Sequence, residues 1–529
     1  MNRFLLIGLD GAEPSLIEPW MDEGMLPNLA ALRSRGCFLP LESTCPPATF
    51  PAWTSCVTGV GPGRHGVFDF TEMIPGEYAI RFVNASYRKA PAVWNVLSDA
   101  GKRVVVLGVP GTYPPDSVNG VMLSGFDSPV TTRIDTSFVY PRDMYDKVRE
   151  WCFADFQESF ITPGWHEKAL QSLLRGIEIK ESIALQLMIS EPWDFFMLVF
   201  GESDTVSHHF WMFHDTDSPR YRPGFQDAIR QVYQRLDTAV GRLINAMGED
   251  IVVVLVSDHG FGGAGTGVVH LNNWLASKNY LAFKHSRDSI LKKLALQFTP
   301  ASLQGPLFRR MSGMAARAES SSRFGGIDWC HTRAWSEELN YMPSVRVNLK
   351  GREPLGQVEA KDYDRFVTEL CAELESWEVI SRAWPREALY TGAWVEKAPD
   401  IILELALEEG YSYNFLRSRG GSAFRRLDPV NHFGAKGQGM SGNHRNPGVV
   451  MFSEAVSKVC PHLVDIAPTI LNVLDVVGPP MDGFSLLGGN TQSSDFHHDV
   501  STIPSVEKPY SSDEEEIIEK RLRALGYLE

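Results

Sequence analysis

The chain has 529 residues, of which 43% are hydrophobic and 22% are charged, and its formal net charge is −15. This length exceeds what one hydrophobic core supports, so we expect one large domain with substantial insertions, or two domains. The composition is typical of a globular protein, and the acidic balance argues against a stable nucleic-acid partner, because nucleic-acid binders are normally basic.

Targeting signals are weak in this sequence. The first apolar run is too short for a signal peptide, and no stretch reaches the apolar length of a transmembrane helix. The seven cysteines show no C-x-x-C spacing, which favours reduced thiols. We therefore expect a cytoplasmic location.

Strand-like apolar runs alternate with helical patterns in the first half of the chain. The predicted strands are 3–9, 103–109, 195–200 and 251–256. The predicted helices are 13–35 (broken at Pro27), 91–100, 167–190 and 225–247. This alternation predicts an α/β fold, a three-layer sandwich with a central mostly parallel sheet and one cap insertion.

The regular alternation stops after residue 262. We predict that 400–407 returns to the central sheet, that 431–446 is a glycine-rich loop, and that 449–452 and 463–476 form a strand and a helix. The predicted domains are a catalytic core (1–262 and 400–488), a cap (263–399) and a C-terminal linker with a short helix, 517–525 (489–529).

One part of the predicted cap is basic. Residues 284–323 contain eight Lys or Arg and two Asp or Glu. Such a segment is either a solvated helical face or a surface that attracts an anionic substrate or an anionic membrane. Both interpretations stay open at this point.

The stretch PPATFPAWTSCVTG places the Thr49 hydroxyl at a turn that enters a helix. Pro51 suits the first helical position, because its missing N–H would have no partner there. The N–H groups and the dipole at a helix N-terminus favour an anion such as a phosphoryl group. A threonine hydroxyl is a weak nucleophile unless a base or a metal activates it, so an ordinary turn residue remains the alternative.

Carboxylates and imidazoles at four other places supply a possible activator. Each aspartate follows an apolar run, so each would emerge at the carboxyl end of a strand, where open α/β sheets bind ligands. Three carboxylates and three imidazoles suit two divalent metal ions, with zinc favoured and manganese next. The candidate ligands are Asp10, Asp204, His208, Asp258, His259 and His444. By contrast, His65 is expected to be a structural hydrogen bonder.

The order of these motifs resembles the alkaline phosphatase superfamily, and within it the branch of nucleotide pyrophosphatases and type I phosphodiesterases. The motifs are an early Asp, the TFP threonine, D-x-x-x-H, SDHG and a late G-x-H. The resemblance runs from FLLIGLDGAEP to VDIAPTILNVLDVVGPPMDGFSLL, and flanking segments such as HGVFDF resemble a little-characterised prokaryotic group. It implies metal-dependent hydrolysis of a small-molecule phosphate ester, most of all a phosphodiester or pyrophosphate.

The resemblance also implies roles for single residues. One metal would be held by Asp204, His208 and His444. The other would be held by Asp10, Asp258 and His259, with the Thr49 oxygen added. Thr49 would be the nucleophile and would form a phosphothreonine. One departure is Phe70, which stands where better-known phosphodiesterases carry an asparagine that helps to bind a phosphoryl oxygen.

Three alternatives remain. One is a phosphomonoesterase or phosphomutase of the same superfamily, in which manganese is favoured and serine usually stands in the place of Thr49. A sulfatase needs C-x-P-x-R, and the C-P-P-A-T of this chain lacks the arginine. A catalytically inactive binding module is the third, and retention of every candidate ligand argues against it.

Overall fold

The computed structural model describes residues 3–125, 134–153, 161, 163–247, 251–284, 320, 323–338, 341–428, 439–457, 459–488 and 510. Most of the basic segment 284–323 lies outside the described residues. The predicted linker 489–508 and the predicted helix 517–525 also lie outside them.

The strands, in chain order, are β1 (Arg3–Leu9), β2 (Cys37–Leu41), β3 (Thr71–Met73), β4 (Ile80–Phe82), β5 (Val104–Val109), β6 (Gly120–Ser124), β7 (Val139–Tyr140), β8 (Phe195–Phe200), β9 (Ile251–Val256), β10 (Gly260–Val269), β11 (Ala334–Trp335), β12 (Ser344–Val347), β13 (Ile380–Pro385), β14 (Ile401–Leu405), β15 (Leu407–Glu408), β16 (Tyr411–Phe415), β17 (Phe424–Arg426), β18 (Gly442–Arg445) and β19 (Gly448–Phe452).

The α-helices are α1 (Pro14–Asp22), α2 (Pro27–Arg35), α3 (Thr49–Thr58), α4 (Pro62–His65), α5 (Val93–Asp99), α6 (Tyr145–Val148), α7 (Trp165–Ser190), α8 (Glu202–His214), α9 (Ala228–Asn245), α10 (Leu271–Ser277), α11 (Tyr363–Glu375), α12 (Arg386–Leu389) and α13 (Ile466–Val473). Among the described residues, none of the helices combines the length and apolar character needed to cross a bilayer.

The central sheet has eight strands in the order β2-β19-β9-β1-β8-β5-β6-β7. Strands β9, β1, β8, β5 and β6 are parallel, whereas β2, β19 and β7 pair antiparallel with their neighbours. This arrangement confirms the mostly parallel sheet. The parallel strands are mostly apolar because both of their faces are covered.

Two hydrophobic clusters make the sandwich three layers thick. Leu5 and Ile7 of β1 belong to one cluster, together with side chains of α7, α8 and α9. Phe4 and Leu6 belong to the other cluster, together with side chains of α3, α5 and α13. Because alternate residues of a strand point to opposite faces, the short apolar strand β1 packs against both helical layers.

Two further sheets lie after β9. Strands β15, β16, β10 and β17 form one with β18, which pairs with β10, and β11, β12, β14 and β13 form a four-stranded sheet. The prediction that 400–407 returns to the central sheet is therefore wrong, since β14 pairs antiparallel with β12 and β13. A short apolar run shows that a strand is buried but not which partner it takes. The chain returns to the central sheet at β19, and the division into core and cap stays a prediction.

The prediction of a loop around His444 is also wrong in part. Residues 429–438 lie outside the described residues, but 442–445 form β18, which pairs antiparallel with Gly260–Gly263 of β10. Neither the glycine-rich β10 nor β18 shows an alternating apolar pattern, so no periodicity indicates a strand here. The ladder places His444 opposite Phe261, two residues after His259.

Candidate metal centre

The first group of candidate ligands forms where β8 ends and α8 begins. Asp204 and His208 are four residues apart on α8, so both side chains leave one face of the helix. Asp204 Oδ1 lies 3.2 Å from His208 Nε2 and 3.2 Å from His444 Nε2, and the two Nε2 atoms are 3.1 Å apart. The structure therefore brings the three predicted side chains into one triangle.

The second group lies at the ends of β1 and β9. His259 Nε2 is 3.6 Å from Asp10 Oδ1 and 3.4 Å from Asp258 Oδ2. The other oxygen of each carboxylate is held by a donor, Trp53 Nε1 for Asp10 (3.1 Å) and the Gly11 N–H for Asp258 (3.1 Å). Each carboxylate thus keeps one oxygen directed towards His259.

The three imidazoles share one hydrogen-bonding arrangement. The Nδ1 atoms of His208, His259 and His444 lie 3.0 Å, 3.0 Å and 3.1 Å from the carbonyl oxygens of Gly442, Gly260 and Pro47. A carbonyl accepts only, so we assign the ring proton to Nδ1 in each case. Each Nε2 then offers a lone pair to the centre, as in most metal-binding histidines.

The described side chains fit metal ions. Asp10 Oδ1, Asp204 Oδ1 and Asp258 Oδ2 are buried and have no hydrogen-bond partner among the described residues, and these are the atoms that face the Nε2 atoms. Ligand atoms about 2.0 Å from a tetrahedral zinc ion lie about 3.3 Å apart, close to the separations in the first group. Lone pairs and carboxylate oxygens this close together repel one another unless a cation lies between them.

The two groups are in contact through stacked rings. The rings of His259 and His444 lie 3.7 Å apart at 23°. As a result the ligand atoms of Asp204, His259 and His444 also lie within 4.8 Å of one another, like those of Asp10, Asp258 and His259. His259 therefore borders both candidate positions.

Burial and charge together shift the titration of the acidic groups. Burial, with the charges of Asp258 and Asp204, raises the pKa of Asp10 well above its usual range. Burial raises the pKa of Asp258 to about 6. Burial alone would raise the pKa of Asp204, but His208 and His444 outweigh it and hold that pKa well below its usual range. A bound cation would favour the ionised form of all three carboxyls.

The imidazole of His444 is kept neutral, because burial lowers its pKa to about 4. Burial also lowers the pKa of His259. Neutral imidazole is the form that binds metals.

Thr49 lies beside the second group. It is the first residue of α3, and its Oγ1 is 3.4 Å from His259 Nε2. The helix begins two residues earlier than Pro51 suggested, so Pro51 is the third helical residue, where a missing N–H again costs no helical hydrogen bond. The nucleophile candidate therefore combines a helix N-terminus with the candidate metal ligands.

Comparison with known proteins agrees with this geometry. The sequence model of the family described as type I phosphodiesterase / nucleotide pyrophosphatase matches residues 4–436. The chain belongs to this family. Within the alkaline phosphatase superfamily, it is a phosphoester hydrolase of the phosphodiesterase/pyrophosphatase type, and that superfamily is metal-dependent.

One solved structure supports the fold of this phosphodiesterase-family chain, and a second is reported beside it for comparison only. Phosphonoacetate hydrolase from Sinorhizobium meliloti 1021, in complex with phosphonoformate, aligns over 89% of this chain and 95% of its own, with 15% identity and a TM-score of 0.52. Murine ectonucleotide pyrophosphatase / phosphodiesterase 5 aligns over 91% and 97%, with 11% identity and a TM-score of 0.46. No curated protein matches the chain.

Tyr341 is a residue of the site that sequence reasoning missed. Its ring stacks on His444 at 4.1 Å and 18°, and its hydroxyl lies 3.3 Å from His208 Nε2. It comes from the predicted cap, far in sequence from the ligand motifs, and a single tyrosine in such a segment carries no sequence signal.

A buried arginine was missed for the same reason. Arg220 is 2% exposed, and its guanidinium donates to the carbonyls of Gly439 (2.7 Å) and Met440 (2.6 Å). These carbonyls directly precede the strand that carries His444, so Arg220 fixes the approach of that strand.

Two other residues singled out in the sequence have packing or hydrogen-bonding roles. His65 is buried, with Nε2 2.9 Å from Ser55 Oγ and Nδ1 accepting from the Val67 N–H, which confirms the structural interpretation. Phe70 packs against the ring of Phe50, the residue after Thr49, at 6.4 Å and 78°. The Phe70 ring therefore packs beside the residue that follows Thr49.

Proposed function

We propose that this phosphodiesterase-family chain hydrolyses a small-molecule phosphodiester or pyrophosphate with two divalent ions and a phosphothreonine intermediate at Thr49. Zinc is the favoured metal and manganese the next, because carboxylates and imidazoles are balanced. The observation that supports the proposal most is the Thr49 hydroxyl, 3.4 Å from His259 among otherwise unpartnered carboxylate oxygens. The cysteine spacing supports a cytoplasmic location.

The side chains divide into two sets in this proposal. One ion would be held by Asp204, His208 and His444, and the other by Asp10, Asp258 and His259, with the Thr49 oxygen added. When bound, such ions lower the pKa of a neighbouring hydroxyl and stabilise negative charge on phosphoryl oxygens.

Thr49 would act as the covalent nucleophile. Its hydroxyl proton leaves to solvent, and Oγ1 forms a bond to phosphorus while the bond from phosphorus to the leaving oxygen breaks. Water then cleaves the phosphothreonine, which releases the remaining phosphate ester or phosphate and restores the hydroxyl. The N-terminus of α3 favours the anion throughout both steps.

Diesters should be preferred over monoesters, because the additional charge of a monoester calls for a further cationic donor. Arg64 and Arg445, which lie near the threonine turn and next to His444 in the sequence, have other partners. Arg64 pairs with Asp482 at 2.6 Å, and Arg445 donates to the carbonyl of Gly410 at 2.6 Å. The rings of Phe50 and Phe70, beside Thr49, suit an organic substituent better than a second negative charge.

The test uses metal-loaded protein with bis-p-nitrophenyl phosphate, p-nitrophenyl phosphate and p-nitrophenyl sulfate. Thr49→Ala should lose several orders of magnitude in turnover and keep its fold, whereas Thr49→Ser should keep measurable activity. Thr54→Ala is the matched control, because that hydroxyl on the same helix donates to the Phe50 carbonyl at 2.7 Å.

Mass spectrometry of acid-quenched protein should find the phosphoryl group on the peptide that carries Thr49. Wild-type turnover by Thr49→Ala would show that the nucleophile is misassigned. A kcat/KM that clearly favours the monoester would instead support a phosphomonoesterase or phosphomutase.

A further inference from the structure

The side chain of Tyr341 closes the candidate centre on the side opposite Thr49. The residue lies between β11 and β12, and its side chain is 8% exposed. Three rings form a continuous stack, in which His444 lies between His259 (3.7 Å) and Tyr341 (4.1 Å). Since Thr49 adjoins His259, the nucleophile candidate and the tyrosine stand at opposite ends of this stack.

The hydroxyl of Tyr341 is directed at Nε2 of His208, which is also a candidate metal ligand. It lies 3.3 Å from His208 Nε2, and Nδ1 of that ring faces the Gly442 carbonyl, so Nε2 is the acceptor and the tyrosine the donor. A cation held by His208 would use the same lone pair and would compete with the tyrosine hydroxyl for it. The thioether sulfur of Met440 is a second, weaker acceptor at 3.8 Å.

We propose that Tyr341 is a catalytic residue whose hydroxyl donates a hydrogen bond to the leaving-group oxygen of the substrate. In an in-line displacement the leaving oxygen departs on the side of phosphorus opposite the attacking atom. Attack by Thr49 at the His259 end places that oxygen at the His208 end, where Tyr341 lies. Donation to an oxygen on which charge develops stabilises the transition state more than the bound substrate. This inference rests on the proposed function.

The experiment compares wild type, Tyr341→Phe and Tyr280→Phe. The phenylalanine at 341 keeps the ring that stacks on His444 and removes only the hydroxyl. Tyr280→Phe is the control, because the hydroxyl of this tyrosine, which also lies in the predicted cap, donates a hydrogen bond to Glu373 at 2.6 Å. The substrates are methyl p-nitrophenyl phosphate and methyl phenyl phosphate, which differ only in how readily the phenol leaves, with the matching aryl monoesters in parallel.

Tyr341→Phe should lose about 10²-fold in kcat on the phenyl substrate and clearly less on the p-nitrophenyl substrate, which needs little help to leave. Zinc affinity, measured by competition with a chromophoric chelator, should be unchanged or higher, since no hydroxyl competes for His208. Tyr280→Phe should match wild type in both measurements.

Two results would overturn the role of Tyr341. The first is an equal loss of kcat on both leaving groups together with weaker zinc binding, which is the pattern of a packing residue. The second is an unchanged kcat on the phenyl substrate. A wild type that prefers the monoesters overturns the proposed function alone, because the leaving-group comparison is then made within the monoester pair. A zinc-loaded wild type that cleaves none of the four substrates overturns both.

Discussion

A buried ion pair supports the helix that carries two of the candidate ligands. Lys180 of α7 lies 2.8 Å from Glu202, the first residue of α8, and their side chains are 6% and 3% exposed. The ammonium of Lys180 also lies 5.6 Å from the ring centroid of Trp151. Replacing Lys180 by Met keeps the volume of the side chain and leaves the Glu202 carboxylate buried without its partner.

Breaking such a pair by removing one partner costs about 3–5 kcal/mol, because an uncompensated charge stays buried. Replacing both partners by apolar residues is often close to neutral, so Lys180→Met/Glu202→Leu should recover most of the loss. Removing a carboxylate from the first turn of α8 should itself cost about 0.3–1 kcal/mol. The double-mutant cycle therefore predicts a coupling energy of about 2 kcal/mol or more between the two side chains.

Urea unfolding followed by circular dichroism compares Lys180→Met, Glu202→Leu and the double variant with wild type. Lys180→Met should shift the midpoint down strongly, and it should also weaken zinc binding, because α8 positions Asp204 and His208. A free energy of unfolding for Lys180→Met within about 1 kcal/mol of wild type would refute the reasoning, since it would mean that water or another group satisfies Glu202.

Two further predictions concern metal content and pH. Elemental analysis should find two divalent ions per chain, with His208→Ala weakening one ion and Asp258→Ala the other; a protein without metal that zinc, manganese and cobalt all fail to activate would contradict this. Burial raises the pKa of Asp69 to about 7, so its stabilising contribution is complete below the unfolded value near 3.9 and is lost as pH rises through 7. Asp69→Asn should therefore gain up to about 4 kcal/mol relative to wild type above pH 7 in urea unfolding, and an unchanged difference between pH 5 and 8 would contradict the shift.

The central sheet could be predicted because its strands are short, continuous apolar runs. The predicted bounds of β1, β8 and β9 are those of the structure. Strand direction then places the ends of these neighbouring strands at one edge of the sheet, which is why Asp10 and Asp258 could be predicted to meet. Their role as metal ligands stays a prediction.

The features that the sequence did not predict depend on tertiary contacts, which local sequence patterns do not encode. The run at 401–405 predicts a buried strand, but its partners β12 and β13 are chosen by tertiary packing. His444 lies on a strand because its segment pairs with the glycines of β10, which no periodicity shows. Tyr341 reaches the centre through tertiary packing, in which its neighbour Met342 belongs to a small buried cluster with Phe68 and Ile402.

The candidate centre joins parts of the chain that are made far apart in time. The Gly11 N–H binds Asp258 across 247 positions, and His208 meets His444 across 236 positions. Contacts of such high sequence separation form late in folding, because the entropy of closing the long loops must be lost first. During synthesis, an N-terminal piece that ends before β18 would contain the nucleophile but only part of the first ligand set. Metal bound by the complete centre stabilises only the fully folded chain, so metal uptake would act as the last step of its maturation.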